Sequence, residues 1–200
     1  MPLLTRLLAV LSLLVLAACS TKPVVWAPEE AVQAARYQAG APYEIVLFNV
    51  ITNDNRARGE HSALMINAPS QRVLFDPAGT WTHPAAPERH DVHYGFDEAQ
   101  LYRYTYYHAR RTHHVLTQTL QVSPETAEYI LRLAEQQGPV PDGFCAKSII
   151  AILHQVPGFE WIEDGFYPNA LSEQFATIPG VREERIYSDA EPTERQQYTQ

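Results

Sequence analysis

The chain has 200 residues, 46% of them hydrophobic and 10% aromatic, with a formal charge of −8. That is the make-up of one folded domain, and it excludes large-scale disorder and a collagen-like repeat. The acidic balance argues against a protein built to hold nucleic acid phosphates, so no nucleic acid partner is expected. Only two cysteines occur, Cys19 and Cys145. A disulfide scaffold needs several pairs and a thiolate zinc cage three or four ligands, so both are excluded unless histidines complete the set.

Residues 1–18 read as an export signal: one charge, Arg6, then an apolar run from Leu7 to Ala18 that is too short for a comfortable membrane span. The run ends in Leu16-Ala17-Ala18-Cys19, which resembles the bacterial lipobox. The resemblance implies lipidation of Cys19 as the first mature residue. Ser20 in the next position resembles lipoproteins sorted to the outer membrane of diderm bacteria. The expected partner is therefore the membrane, through acyl chains and without a spanning helix, with the protein facing the periplasm. Residues 19–42, rich in Ala and Pro, are predicted to be a tether with one short helix from Pro28 to Gln38.

Tyr43–Ile51 is a continuous run of β-branched, aromatic and aliphatic residues and predicts a buried strand. A polar loop, Asn53–Gly59, follows. Glu60–Ile66 and Arg72–Asp76 flank Ala68-Pro69-Ser70, the pattern of a hairpin. Pro77–Gly95, rich in Pro, Gly and His, predicts a long surface loop in which Trp81 and His83 line a cleft. Leu101–Tyr107 and Val115–Val122 alternate and predict two more strands, joined by a basic turn whose Arg110-Arg111 reads as a solvated spot.

Ser123-Pro124-Glu125 opens a helix that Gly138-Pro139 stops. A second helix is predicted from Cys145 to about Gln155 and a third over Pro168–Phe175, before a last strand, Val181–Tyr187. Residues 188–200 are predicted to be a loose polar tail.

Once Cys19 is lipidated, Cys145 is the lone thiol. Asp142 or Gly143 is placed to cap its helix, which puts Cys145 in the first turn, where free backbone N–H groups stabilise a thiolate and can receive an oxyanion. A thiolate nucleophile needs a base, and His61, on a strand, is the best placed of eight histidines. If the hairpin closes with Ala68-Pro69 at its tip, His61 lies opposite Asp76, which could then orient the imidazole. His90-Asp91-Val92-His93 has a metal-compatible spacing but belongs to no helix-borne hydrolase motif; polar loop histidines are the plainer reading. No cofactor is expected. Tyr102, Tyr104, Tyr106 and Tyr107 read as sheet packing.

The order of these parts is a strand with Glu60-His61-Ser62-Ala63-Leu64-Met65-Ile66, a second strand ending in Asp76, then Gly143-Phe144-Cys145-Ala146-Lys147-Ser148 opening a helix. It resembles the circularly permuted NlpC-like, papain-related cysteine hydrolases, the branch that includes the lecithin:retinol acyltransferase-like enzymes. The resemblance covers roughly Tyr43–Tyr187 and includes the proline-led Tyr167-Pro168-Asn169-Ala170-Leu171. It is topological: the acyltransferase residues that flank the cysteine are absent, and Asp stands at the third position where many members have His. It implies an α+β domain of permuted papain-like type at residues 43–187. It also implies amide or ester hydrolysis through an acyl-thioester on Cys145, on peptidoglycan peptides or acyl lipids. The competing expectation is a non-catalytic envelope lipoprotein that uses the same fold as a binding or scaffold module.

Overall fold

The computed structural model describes residues 26–200, so the expected export signal, the expected lipidation site Cys19 and the start of the expected tether lie outside the described residues. The described chain is α+β, built on a seven-stranded antiparallel sheet in the order β4-β5-β3-β2-β1-β6-β7. Its strands are β1 Glu44–Thr52, β2 Gly59–Asn67, β3 Arg72–Phe75, β4 Glu88–Arg89, β5 Val92–His93, β6 His113–Gln121 and β7 Arg182–Ile186. The helices are α1 Glu29–Ala34, α2 Glu98–His108, α3 Pro124–Gln137, α4 Cys145–Leu153 and α5 Pro168–Phe175, followed by a 3-10 helix, Pro192–Tyr198. No helix among the described residues is long and apolar enough to cross a membrane.

Helices cover both faces of the sheet, which is why β1 is a continuous apolar run and not an alternating one. Ile45 and Leu47 of β1, Leu64 and Ile66 of β2, and Val73 and Phe75 of β3 pack under α3, α4 and α5 with Ile130, Ile149, Leu153 and Leu171. Their neighbours Val46, Phe48, Ala63, Met65 and Leu74 pack on the other face with Tyr104 and Tyr107 of α2 and with Trp81 and Phe96. Strand parity thus assigns His61 to the α2 face, where Asp76, one residue past β3, also lies.

Three expectations are corrected. Leu101–Tyr107 is the body of α2 and not a strand. The side chain of Asp97 accepts the Gln100 N–H at 2.9 Å, an N-cap, and Tyr104 and His108 then fall one turn apart on the buried face. Trp81 is 1% exposed in the second core cluster, with its indole N–H bonded to the Tyr198 carbonyl, so it packs the interior and lines no cleft. His83 is bound outside it, to the Gln200 carbonyl. The tail is not loose: the 3-10 helix docks on α2, and the Arg111 N–H donates to the Ala190 carbonyl. Smaller differences are the short α1, ending at Ala34, and the two short strands β4 and β5 inside the loop Pro77–Gly95.

Candidate active site

Cys145 is the first residue of α4, and Phe144 holds the capping position with no side-chain hydrogen bond. The cap is thus neither Asp142 nor Gly143; Gly143, at φ +81°, makes the reversal into the helix. The first intrahelical bond is Ser148 N–H to the Phe144 carbonyl, so the N–H groups of residues 145–147 precede the ladder. α4 packs on β2 through Ala146, Ile149 and Ile150. β3 pairs with β2 only as far as Leu64 and Phe75, which leaves the start of β2 with an uncovered edge. There the Cys145 sulfur comes close enough to the His61 ring and the Ser62 backbone N–H for both to favour its ionised form. Cys145 and His61 therefore meet around the edge of the sheet, although α4 and the His61 side chain belong to opposite faces.

The hairpin register differs from expectation. Asn67 faces Arg72 and Leu64 faces Phe75, which sets Asp76 level with Ala63 and diagonal to His61. A shift of two residues preserves the face. His61 Nε2 consequently lies 2.6 Å from Asp76 Oδ1, leaving Nδ1 as the ring nitrogen free for the thiol. The Tyr104 hydroxyl donates to the same carboxylate oxygen at 2.8 Å, and His93 Nε2 stands 3.9 Å from Oδ2. The His108 ring stacks on His61 at 5.7 Å between centroids.

Burial alone would push the His61 pKa down, but the Asp76 carboxylate, in contact and hydrogen-bonded, outweighs it, and His61 is held up at about 10. Burial likewise opposes ionisation of Asp76, and the His61 cation overrides it, bringing the carboxyl to about 2. For Cys145 burial raises the pKa, while the hydrogen bond and charge of His61 and the Ser62 and Ala146 amides lower it further, for a net depression. His108 is buried beside the His61 cation and stays neutral, depressed to about 3. At neutral pH the site thus holds an imidazolium with Asp76 ionised behind it, and beside that cation Cys145 loses its proton more readily than a free thiol.

A cavity of about 200 Å³ opens onto His61, with Glu60, Thr80, Tyr107, His108, Arg110 and Arg195 among its walls. On the α4 side the exposed aromatics Phe144 and Phe166 meet edge-to-face at 5.1 Å, next to the exposed Tyr167. α5 is seated by Asn169, whose Oδ1 accepts from Asn49 Nδ2 and whose Nδ2 donates to the Ala57 carbonyl. Only glycine fits at position 59, where a Cβ would stand 2.4 Å from Asn169 Oδ1.

Sequence reasoning reached Cys145, His61 and Asp76, and the structure brings the three together. It missed Tyr104, His93 and His108, which complete the surroundings of Asp76 and His61. For Tyr104 and His108 the available signal was Asp97 followed by Glu98, a helix start that would have placed them one turn apart. His90 and His93 diverge, His90 to the edge of Trp26 and His93 toward Asp76. No protein-family model matches the chain, and no match is found among curated proteins or solved structures.

Proposed function

We propose that this chain is a thiol-dependent hydrolase of amides or esters with a permuted papain-like fold, held on the periplasmic side of the outer membrane by lipid on Cys19. The observation that carries the catalytic reading is a cysteine at the first position of a buried helix, paired with a histidine whose far nitrogen is bound by a buried aspartate. The thiolate attacks the substrate carbonyl, and the N–H groups at the start of α4 receive the oxyanion. Collapse of the tetrahedral adduct expels the amine or alcohol, which takes its proton from His61. Neutral His61 then removes a proton from water, which attacks the thioester and releases the carboxylic acid. Asp76 keeps the ring in the tautomer and orientation that both proton transfers need.

Peptidoglycan stem-peptide amides and acyl-lipid esters are the substrate classes that follow from the topological resemblance. The binding-module reading draws on one observation, the 6% exposure of Cys145. The test is a screen of the protein against peptidoglycan fragments and acyl esters, with Cys145→Ala as the control. Turnover lost in that variant supports the hydrolase; turnover retained in it, or absent from both while the thiol is accessible to reagents, refutes it.

A further inference from the structure

Two guanidinium groups, Arg110 and Arg195, share the small cavity that opens onto His61. We propose that they form a carboxylate subsite, so that the preferred substrate is an amide or ester carrying a free carboxylate close to the scissile bond. The inference rests on the reading of Cys145 and His61 as nucleophile and base, and it names the chemistry of what they act on.

Two like charges facing one half-enclosed space repel each other, and the arrangement persists only if something else holds them there. For Arg110 that is the backbone: its Nη1 donates to the carbonyls of Tyr107 at 3.3 Å and His108 at 3.1 Å, at the C-terminal end of α2. Arg195 is held by the C-terminal 3-10 helix docked on α2. Its guanidinium carbon lies 5.3 Å over the Tyr107 ring. The 3-10 helix that bears it is pinned on one side by Arg111 to Glu191 and on the other by the Trp81 N–H to the Tyr198 carbonyl.

Neither guanidinium forms a salt bridge with a carboxylate among the described residues. The acid in the cavity wall, Glu60, is already engaged by His113 at 2.8 Å and Arg58 at 3.8 Å. Burial and the nearby Arg195 both lower the Arg110 pKa, and Tyr107 and Glu60 offset them only in part. In a chain of net charge −8 this is a local reversal of sign in a cavity that His61 helps to line. Guanidinium is the side chain best shaped for a planar carboxylate, and a space of about 200 Å³ suits a group of amino-acid size. A carboxylate seated there would neutralise the pair and fix the scissile carbonyl relative to His61.

The test compares alkylation of Cys145 at pH 6 by two reagent pairs that differ only in charge: iodoacetate against iodoacetamide, and N-iodoacetylglycine against its amide. The inference predicts that the carboxylate member of at least one pair reacts faster, by roughly threefold or more. That ratio should fall in Arg195→Gln and in Arg110→Gln, and fall in the wild-type protein as salt is raised. A preference that survives both substitutions would come from the His61 cation alone and would overturn the inference, as would no preference in either pair. Arg195 is exposed and its side chain makes no hydrogen bond among the described residues, so its variant decides the matter if Arg110→Gln fails to fold. Failure of the neutral reagents to label Cys145 would overturn the reading of the thiol itself, and this inference with it.

Discussion

Asp76→Asn isolates the charge that sets the resting state of the site. Asparagine is close to isosteric: its carbonyl oxygen can still accept from Tyr104 and His61, and its amide would replace Oδ2, which has no hydrogen-bond partner and faces His93. What disappears is the attraction between carboxylate and imidazolium, about 4 kcal/mol for charges about 4 Å apart at an effective dielectric of about 20. At about 1.4 kcal/mol per pKa unit that is about 3 units. Together with the hydrogen bond to the same carboxylate it outweighs the burial that opposes it and holds His61 at about 10; with the carboxylate charge gone, burial, the largest single influence, pulls the imidazole back toward or below its ordinary value. The thiolate then loses its counter-ion, and Cys145 returns toward, or above, the range of a free thiol. The assay is the pH dependence of iodoacetamide alkylation. Wild-type protein should show a reactive thiolate at pH 6, whereas Asp76→Asn should lose reactivity there by at least about tenfold and recover it only in alkali. An unchanged profile in a folded Asp76→Asn protein would refute the claim that Asp76 sustains the ion pair.

Three further outcomes follow from the same geometry. Gly79→Ala would place a Cβ 1.8 Å from Asp76 Oδ2, so the carboxylate must move off His61; turnover should drop by more than tenfold and the thermal midpoint should fall. Tyr104→Phe removes a hydrogen bond to a buried carboxylate and should cost about 1.5–3 kcal/mol in denaturant unfolding, with a smaller loss of turnover than Asp76→Asn. Stability should respond to pH on both sides. The contribution of Asp76, depressed to about 2, is full above its unfolded value of 3.8 and is lost as pH falls from there toward 2. That of His61, raised to about 10, is full below 6.5 and is lost as pH rises from there to 10. Thermal melts of wild type and His61→Ala across that range should therefore converge in alkali.

The site was legible in the sequence where it depends on local periodicity. The apolar run into α4 announced a helix beginning at Cys145, and strand alternation put His61 and Asp76 on one face. Their side chains met despite a two-residue difference in register, because only an odd shift would have separated them. The surroundings of the site were illegible because they are decided by long-range packing. Tyr102, Tyr104, Tyr106 and Tyr107 carry strong strand propensity, yet the Asp97 cap and the burial of Tyr104 against Phe48 and Trp81 make the segment helical. Trp81 looked like a loop aromatic because nothing in its neighbourhood announces the second core it fills. The polar tail gave no sign that it would bring Arg195 to the cavity, since the residues that pin it are about 80 and 117 positions earlier.

The central claim is that Cys145 is an acylable nucleophile activated by His61. Exposure to p-nitrophenyl acetate at pH 6, followed by an acid quench and intact-mass and peptide analysis, tests it directly. One acetyl group is expected on Cys145 in the wild-type protein, and no modification above background in His61→Ala or Cys145→Ala. Acetylation that misses Cys145, or that proceeds equally well in folded His61→Ala, would contradict it.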